Sequence, residues 1–367
     1  MNIGLLGFGV VGGGVWELAQ ENRALNVKKV LVRREAPSLG KAAVQDVEAI
    51  LRDTEIDTVV EVLGGLHPAY EWICRALAAG KDVVTANKAV ISAYYRELTA
   101  LARENGVALR CTAAVGGGIP WLVNLGGIMN GTTNFIMDAM ARQGADFPAV
   151  LQRAQELGYA EADPSADIDG DDIRRKLTIS ANIAFDALLR EEDIPAFGIR
   201  TVTGADVADF RAHGFTCKLL ACAQRTETGV AAYVEPALVA EGEPEAAVPG
   251  NYNLISCTGE LLGRQSYFGQ GAGRYPTAAN VVQDCLDLLT GEDGFYTETA
   301  RPMAVEADAV AHPYYVRTQG ADPWLKSVTA DRWAGGVITG AVPVGQMLRW
   351  AAAQRQRDPG CFVAGIR

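Results

Sequence analysis

Three glycines near the start of the chain have the spacing of a phosphate-binding turn. They lie in the run GFGVVG at residues 7–12, which directly follows an apolar stretch and precedes a helical pattern. Gly7 permits a tight turn, Gly9 lets the backbone approach a pyrophosphate, and Gly12 lets helix and strand pack closely. The free N–H groups of the helix N-terminus would then face the phosphates. A glycine-rich packing turn is the alternative, but the strand–turn–helix context favours dinucleotide binding.

Two arginines after the second predicted strand indicate which dinucleotide is preferred. An acidic residue about 20 positions after the glycines would bind a ribose 2′-hydroxyl. Arg33 and Arg34 occupy that position here, and guanidinium groups can hold a 2′-phosphate bidentately. A solvated pair at a strand end is the alternative. The sequence therefore predicts that NADP(H) is preferred, with NAD(H) possible.

An acidic segment ends in a lysine. Its six carboxylates fall within twelve positions, at Glu161, Asp163, Asp167, Asp169, Asp171 and Asp172. Lys176 lies four residues after Asp172, so the two side chains can pair on one helix face. A solvated loop, a calcium site and a pocket for a substrate ammonium all fit this density, although the spacing departs from that of an EF-hand. Composition alone favours the solvated loop.

Lys88 and two Gly-rich segments are further candidates for ligand contact. Lys88 follows a predicted strand in the run TANK, and the carboxyl ends of strands face the ligand crevice of a doubly wound sheet. Alone it would be an ordinary loop lysine. The runs AVGGGIP (114–120) and NGTTN (130–134) allow backbone to approach a ligand or ion. The alternative for NGTT is a turn followed by a Thr helix cap.

Histidine chemistry is not expected. The three histidines lie in turn-like stretches outside any metal or triad spacing, so we interpret all of them as structural: His67, His213 and His312. Proton transfer would then depend on Lys, Asp, Glu or Tyr side chains.

Alternating strand and helix patterns in the first half predict an α/β fold with a doubly wound parallel sheet of the Rossmann type. The strands are predicted at Asn2–Gly7, Val27–Val32, Thr58–Leu63, Asp82–Thr85 and Val107–Ala113. The helices are predicted at Gly12–Asn22, Asp46–Arg52, Pro68–Ala79 and from a Ser92 cap to near Gly106. An α+β region follows, with helices at Phe147–Leu157, Asp172–Ala187 and Thr277–Leu289 and strands between Phe215 and Gly269. The pattern after Gly291 is weak.

Length and charge narrow the classes of function. A chain of 367 residues predicts two domains with a small third segment. With 33 Lys and Arg against 44 Asp and Glu, the net charge of −11 argues against nucleic-acid binding and against a polybasic membrane surface. Seven cysteines without a CxxC motif indicate reduced thiols in a cytoplasm. Neither a signal peptide nor a transmembrane segment is expected.

Taken together, these residues resemble the homoserine dehydrogenases. The family signature is complete at Ala154, Gly158, Tyr159, Glu161, Asp163, Pro164, Asp167, Gly170, Asp172 and Lys176. Further family blocks occur in the family order: GFGVVG, TANK, AAVGGGIP, NGTTN and GQGAGRYPTA. The resemblance implies NAD(P)-dependent interconversion of L-homoserine and L-aspartate 4-semialdehyde, a step toward threonine and methionine.

The resemblance also implies roles for individual residues. Lys176 matches the proton donor and Lys88 a second essential lysine, while Glu161 and Asp172, supported by Asp167, match the substrate-binding carboxylates. This agrees with the chemistry, because a lysine can stabilise an oxyanion and then protonate it. Further substrate contacts are expected at Tyr159, Gly131 and Thr132. Cofactor contacts are expected at Gly7, Gly9, Val10, Val11, Gly12, Arg33, Arg34, Leu63, Gly64, Lys88 and Gly271.

Two positions depart from the family pattern. Thr112 replaces a Glu that usually helps to bind a monovalent cation, which leaves the backbone carbonyls of Val115, Gly117 and Ile119 as candidate sodium ligands. Long members end in a regulatory ACT domain. Here the run HPYYVR resembles the start of its first strand, but the following residues are few, which indicates a degenerate ACT remnant or a short tail packed on the catalytic core.

The expected organisation is therefore a Rossmann domain over residues 1–125, a catalytic and dimerisation domain over 126–290 and a tail over 291–367. A homodimer is expected, with the strand-rich region 215–269 as its interface. Two alternatives stay open at this point. One is an enzyme related to aspartate-semialdehyde dehydrogenase that uses an activated Cys, and the other is a non-catalytic NADP(H)-sensing scaffold.

Overall fold

The structure is a computed structural model that describes residues 1–34, 36–116, 126–259, 263–292 and 300–367. The chain forms two compact units. The first contains Met1–Leu122, Asn182–Leu188 and Gln270–Arg301, and the second contains Val123–Ala181, Leu189–Gly269 and Pro302–Arg367. Residues 270–301, which the sequence assigned partly to the second domain, thus lie in the first unit. The division into three functional domains stays a prediction.

The described residues form the following elements. The strands are β1 (Asn2–Leu6), β2 (Asn26–Leu31), β3 (Ala43–Val44), β4 (Thr58–Glu61), β5 (Asp82–Thr85), β6 (Leu109–Arg110), β7 (Gly126–Ile128), β8 (Phe215–Arg225), β9 (Gly229–Ala240), β10 (Asn253–Gly259), β11 (Gly263–Gly269), β12 (Ala304–Val305), β13 (Ala311–His312), β14 (Tyr314–Arg317), β15 (Thr329–Arg332), β16 (Val337–Thr339), β17 (Val342–Pro343) and β18 (Phe362–Ile366). The helices are α1 (Val10–Glu21), α2 (Glu48–Leu51), α3 (Ala69–Ala78), α4 (Lys88–Glu104), α5 (Thr112–Gly116), α6 (Gly131–Gln143), α7 (Phe147–Glu156), α8 (Ser165–Ile168), α9 (Asp171–Phe185), α10 (Gly204–Ala212), α11 (Arg274–Leu289), α12 (Pro323–Val328) and α13 (Val344–Arg355).

The first unit is built on a six-stranded parallel sheet with the order β3-β2-β1-β4-β5-β6. The order reverses between β1 and β4, and open sheets of this kind bind ligands beyond the carboxyl ends of the strands at such a reversal. The central strands are apolar on both faces, and Ile3, Leu5, Val60 and Val84 are fully buried. This architecture confirms the predicted Rossmann-type sheet.

Glycines in α1 allow two close approaches within the first unit. A Cβ on Gly12 would lie 2.2 Å from the carbonyl oxygen of Gly7. A Cβ on Gly14 would lie 2.9 Å from Cβ of Ala278, which is in α11. The helix can therefore pack tightly both on the turn that precedes it and on α11, because neither position carries a side chain.

The second unit contains a ten-stranded sheet. Nine strands follow the order β11-β10-β7-β8-β9-β18-β14-β16-β15, and β12 pairs with β9. The long antiparallel pair β8–β9 forms its centre, with Cys217 opposite Leu238 and Ala221 opposite Val234. The predicted strands between Phe215 and Gly269 are confirmed as β8 to β11.

The C-terminal residues form a βαββαβ arrangement, although the sequence pattern there is weak. Elements β14, α12, β15, β16, α13 and β18 follow in this order, and their strands lie side by side as β18-β14-β16-β15. This is the ferredoxin-like connection. A buried carboxylate anchors the first strand: Asp206 accepts hydrogen bonds from the Tyr315 hydroxyl at 2.7 Å and from Nε of Arg317 at 2.8 Å.

Two local predictions were wrong. Helix α4 begins at Lys88, not at Ser92, because the Asn87 side chain accepts a hydrogen bond from the backbone N–H of Val90. The alternative interpretation of NGTT included a Thr cap, but the cap of α6 is Asn130. The strand predicted for 107–113 is limited to β6, and Thr112 begins α5. There the backbone N–H of Thr112 donates to the buried carboxylate of Asp284 at 3.0 Å, a tertiary contact that local sequence does not reveal.

The expectations about the cysteines and about membrane-spanning helices can be compared with the described residues. All seven cysteines are free thiols. Within the described ranges, no helix combines the length and the apolar character that a membrane span requires.

Candidate active site

A lysine–carboxylate pair begins the candidate site in the second unit. Asp172 and Lys176 are one turn apart on α9, and Oδ2 of Asp172 lies 2.8 Å from Nζ of Lys176. Asp172 is 2% exposed and Lys176 is 7% exposed. The four-residue spacing therefore produces the pairing that the sequence predicted, in a largely desolvated setting in which charge–charge interactions are stronger than in water.

The strand β7 and the N-terminus of α6 complete this cluster. Lys176 Nζ also donates to the carbonyl oxygen of Met129 at 2.8 Å. Nδ2 of Asn130 donates to Oδ1 of Asp167 at 2.7 Å and to Oδ2 of Asp172 at 2.9 Å. One amide group thus joins two carboxylates that come from separate parts of the acidic segment. The NGTTN run was recognisable in the sequence, but this role of Asn130 was not.

The same cap residue orders the start of α6. Oδ1 of Asn130 accepts a hydrogen bond from the backbone N–H of Thr133 at 2.8 Å. Because Oδ1 is occupied by the cap, Nδ2 is the part of the amide that faces the carboxylates. The helix N-terminus and the Lys176 pair are therefore held in one geometry by a single side chain.

The other predicted substrate residues lie around this cluster in different settings. Thr132 Oγ1 donates to the backbone oxygen of Tyr159 at 2.6 Å. A Cβ on Gly131 would lie 2.5 Å from the backbone oxygen of Asn251, so this glycine is explained by a close backbone contact. Tyr159 is 40% exposed and Glu161 is also exposed. Among the described residues, the hydrogen bonds around Lys176 do not include the Glu161 carboxylate.

A second buried lysine fixes the loop that approaches Gly131. Lys218 on β8 is fully buried and donates from Nζ to Oδ1 of Asn134 and to the backbone oxygen of Val248, both at 2.8 Å. Nδ2 of Asn134 in turn donates to the backbone oxygen of Gly250 at 2.8 Å. This network joins α6 to the loop before β10. This network was not predicted from the sequence, and its one signal there is that Lys218 is the only charged residue in the run FTCKLLACA.

Lys218 should make the unfolding free energy of the protein increase with pH. Desolvation lowers its pKa from 10.5 to about 8, so between these values the unfolded chain binds more protons here and wild-type stability increases with pH. We expect the unfolding free energy of the wild type, relative to Lys218→Met, to increase by about 1–3 kcal/mol from about pH 7.5 to about pH 10. Urea denaturation at each pH measures this, and an unchanged difference would contradict the assignment.

The predicted phosphate-binding turn lies at the carboxyl end of β1 in the first unit. Gly7 has φ of +108°, a backbone conformation that glycine adopts without strain. A Cβ on Gly9 would meet nothing within 4 Å, so the space beside this backbone is open. Val10 is 65% exposed at the start of α1, and Val11 is half-buried. These features suit a ligand that approaches the backbone at the helix N-terminus.

Two further sets of predicted cofactor residues lie in the first unit. Arg33 and Arg34 are exposed shortly after β2, which ends at Leu31. Gly64 follows β4 with φ of +81°, and Leu63 beside it is half-buried. Gly271 is buried just before α11. Lys88 is the first residue of α4, after β5, and therefore lies at the carboxyl edge of the sheet as predicted.

Of the three residues predicted to bind a cation, only Val115 belongs to the described part of the chain. Gly117 and Ile119 lie outside the described residues, and Val115 belongs to α5. In the described part of the chain, no group of three or more His, Cys, Asp or Glu side chains is arranged to hold a metal ion. The backbone N–H of Thr112 is held by Asp284, which also accepts from Nε of Arg110 at 3.1 Å.

The thiols and imidazoles have structural surroundings. Burial raises the pKa of Cys74, Cys217, Cys222, Cys285 and Cys361. A raised pKa disfavours the thiolate that a cysteine-based aldehyde dehydrogenase needs. The ring of His213 stacks on Trp333 with centroids 3.9 Å apart, and Nδ1 of His67 lies 2.6 Å from Glu71. Lysine chemistry is thus better supported by the geometry than cysteine chemistry.

Two models of known protein families together match most of the chain. The family model of the homoserine dehydrogenase catalytic region matches residues 122–286, and the model of the homoserine dehydrogenase NAD-binding domain matches residues 7–112. The homoserine dehydrogenase of Synechocystis sp. is 42% identical over 79% of this chain and 73% of its own length. That of Pseudomonas aeruginosa is 38% identical over 88% of this chain and 82% of its own length.

Solved structures agree with the sequence relatives. A homoserine dehydrogenase from Thiobacillus denitrificans is 32% identical, with a TM-score of 0.86 over 100% of this chain and 98% of that chain. A hyperthermophilic archaeal homoserine dehydrogenase in complex with NADPH is 25% identical, with a TM-score of 0.67 over 79% of this chain and 98% of its own. With two matching family models and relatives at such identity over most of its length, the chain belongs to the homoserine dehydrogenase family of oxidoreductases.

Proposed function

We propose that the protein catalyses the reversible reduction of L-aspartate 4-semialdehyde to L-homoserine with NADP(H), with Lys176 as the group that donates and accepts the proton. The observation that carries this proposal is the cluster of the buried residues Lys176, Asp172 and Asn130 with the half-buried Asp167, which holds an ammonium group between a carboxylate and a carbonyl oxygen. The family membership supports the same reaction.

Lys176 can perform both electrostatic and proton-transfer roles. In the reductive direction an N–H of Nζ donates to the aldehyde oxygen, and its charge stabilises the negative charge that grows on that oxygen. Nζ then transfers a proton to the oxygen and becomes neutral. In the oxidative direction the neutral amine accepts the hydroxyl proton of homoserine. NADP(H), when bound, supplies or takes up the hydride.

The carboxylates have separate tasks in this proposal. Asp172 orients Lys176 and, together with Asn130, limits its movement during proton transfer. Glu161 and Asp167, with the backbone near Tyr159, Gly131 and Thr132, bind the amino-acid end of the substrate, whose ammonium carries a positive charge. The exposure of Glu161 leaves its carboxylate accessible to this group. Lys88 is proposed as a second lysine of the reaction, as the family resemblance implies.

Cofactor preference should depend on Arg33. The arginine is exposed after β2, where a guanidinium can pair with a 2′-phosphate, and the archaeal relative above was solved with NADPH. We expect Arg33→Asp to lower kcat/KM for NADP⁺ about tenfold or more, which corresponds to the loss of roughly 1.5–3 kcal/mol from a charge-assisted hydrogen bond. The value for NAD⁺ should change little. An unchanged ratio of the two kcat/KM values would refute the preference for NADP(H).

Assembly and cellular location complete the proposal. The edge strand β11 exposes Tyr267 (41%) and Phe268 (56%), and Phe268 stacks on Tyr252 at 5.0 Å. An exposed aromatic edge strand suits pairing with a second copy, so we propose a homodimer through the region 215–269. The free cysteines suit the reducing cytoplasm as its location.

The reaction itself has a direct test. Purified protein is mixed with L-homoserine and NADP⁺ at alkaline pH, and the absorbance of NADPH is followed. Formation of NADPH that requires homoserine supports the proposal. Binding of NADPH without turnover would instead indicate the cofactor-sensing scaffold.

A further inference from the structure

A carboxylate is buried at the central reversal of the first unit, and the mechanism above gives it no task. Glu61 is the last residue of β4 and has no exposed surface. It is paired in register with Leu6 of β1 on one side and with Thr85 of β5 on the other. Leu6 directly precedes the phosphate-binding turn, and Thr85 lies three residues before Lys88. Glu61 therefore lies between the two parts of the sheet edge that the proposed function uses.

The hydrogen bonds of Glu61 extend to both of these parts. Oε1 accepts from the backbone N–H of Leu63 at 2.7 Å, which fixes the segment that follows β4. Oε2 accepts from the hydroxyl of Thr85 at 2.6 Å, at the end of β5. The carboxylate thus ties the segment containing Leu63 and Gly64 to the end of the strand that leads to Lys88.

Asn87 links the same two segments. Its Nδ2 donates to the backbone oxygen of Gly65 at 2.8 Å and lies 3.4 Å from Oε1 of Glu61. Its backbone N–H donates to Thr85 Oγ1 at 3.0 Å, and its side-chain oxygen caps α4. The starting point of α4, and with it the backbone of Lys88, is therefore fixed by a network with the Glu61 carboxylate at its centre.

Packing alone does not explain an acid at this position. The neighbouring strand residues Val59 and Val60 are fully buried and apolar, and an apolar side chain would avoid the cost of desolvating a carboxylate. Burial raises the pKa of the Glu61 carboxyl, which reflects that cost. A geometric task at the edge of the site accounts for its presence.

We propose that Glu61 is a positioning residue of the reaction, which sets the distance between the cofactor-binding segment at Leu63–Gly64 and the N-terminus of α4 with Lys88. This inference rests on the proposed function, because that function assigns Leu63, Gly64 and Lys88 to the site. Displacement of a reacting group by about 1 Å can reduce a rate by about 10²-fold, so loss of the carboxylate should affect turnover as well as cofactor affinity.

The test compares Glu61→Ala and Glu61→Gln with Val60→Ala, a cavity-forming change in the same strand that leaves the hydrogen bonds of Glu61 in place. All assays are made well below the unfolding temperature of each variant. We expect Glu61→Ala to lower kcat about 10–100-fold and to raise the Kd for NADPH about tenfold. Glu61→Gln should recover most of both values, because its amide oxygen can accept from Leu63 and its NH2 group can donate to Thr85.

Two results would overturn the proposal. One is a Glu61→Ala enzyme whose kcat and Kd match those of Val60→Ala, since the role would then be structural only. The other is a Glu61→Gln enzyme as impaired as Glu61→Ala. If the Ala variant does not fold, Glu61→Asp replaces it, because Asp keeps the charge but withdraws the carboxylate by one methylene. A wild-type protein without homoserine turnover would contradict the proposed function instead, while the NADPH titrations would still test Glu61.

Discussion

Replacement of Lys176 by Ala should lower kcat by about 10²–10⁴-fold, the usual effect of losing a positioned general acid. Such a loss corresponds to roughly 3–5 kcal/mol of activation free energy. The Kd for NADPH should stay near the wild-type value, because we propose that the phosphates bind the glycine turn of the other unit. Steady-state kinetics and a fluorescence titration with NADPH measure the two quantities separately.

Arg175→Ala is the matched control for Lys176. Arg175 precedes Lys176 on the same helix, is partly exposed and lies 3.2 Å from Glu191, so its removal changes the helix charge without touching the cluster. It should keep kcat within a few-fold of the wild type. Asp172→Asn should also impair turnover, since Lys176 would lose its carboxylate partner. A Lys176→Ala enzyme with more than about a tenth of wild-type kcat would assign the proton to another group, with Lys88 or a bound water as the next candidate.

Alanine at two glycines of the phosphate-binding turn should have different effects on folding. At Gly9 a Cβ meets no protein atom, so Gly9→Ala should keep its unfolding free energy within about 0.5 kcal/mol of the wild type. Its Cβ would occupy the space through which a pyrophosphate approaches the backbone, so we expect the Kd for NADPH to increase about 10²-fold. At Gly12 a Cβ would lie 2.2 Å from the Gly7 carbonyl oxygen. Gly12→Ala should therefore lose about 1–3 kcal/mol of stability in addition to cofactor affinity.

Chemical denaturation and NADPH titration of both variants provide the comparison. Gly144 supplies a third substitution for reference, since a Cβ there would also meet nothing within 4 Å and the residue lies outside the turn, at the C-cap of α6. Its φ of +64° and ψ of +22° are left-handed, a conformation that Asn tolerates better than Ala. Gly144→Asn should leave the Kd for NADPH unchanged. Normal cofactor affinity in Gly9→Ala would refute the assignment of the turn as the pyrophosphate site.

The parts of the molecule that depend on short-range rules could be predicted from the sequence. The glycine turn follows from three backbone requirements within six residues. The pairing of Asp172 with Lys176 follows from the geometry of one helical turn. The alternation of β1, β2, β4 and β5 with helices was recognisable because each of these strands contains a short apolar run, and it led to the Rossmann-type sheet. The two-residue strand β3 was not predicted.

Contacts between distant segments could not be predicted in the same way. Asn130 bridges Asp167 and Asp172 across about forty positions of sequence, and no local pattern distinguishes this amide from an ordinary helix cap. The early end of β6 depends on Asp284, which lies far along the chain. Glu61 did leave a signal, a single acid within the apolar run TVVEVL, but its meaning required knowledge of what lies beside it.

The parallel pairing of β18 with β9 has a consequence for removal of the C-terminal segment. Gly365 and Ile366 lie opposite Ala237 and Leu238, so the end of the ferredoxin-like arrangement continues the sheet of the preceding residues. Removal of the C-terminal residues would uncover the backbone N–H and C=O groups of β9 around Ala237 and Leu238. Bare strands of this kind recruit other chains into aggregates. We therefore expect shortened versions of this chain to aggregate more readily than the full chain, which light scattering of the purified proteins would measure.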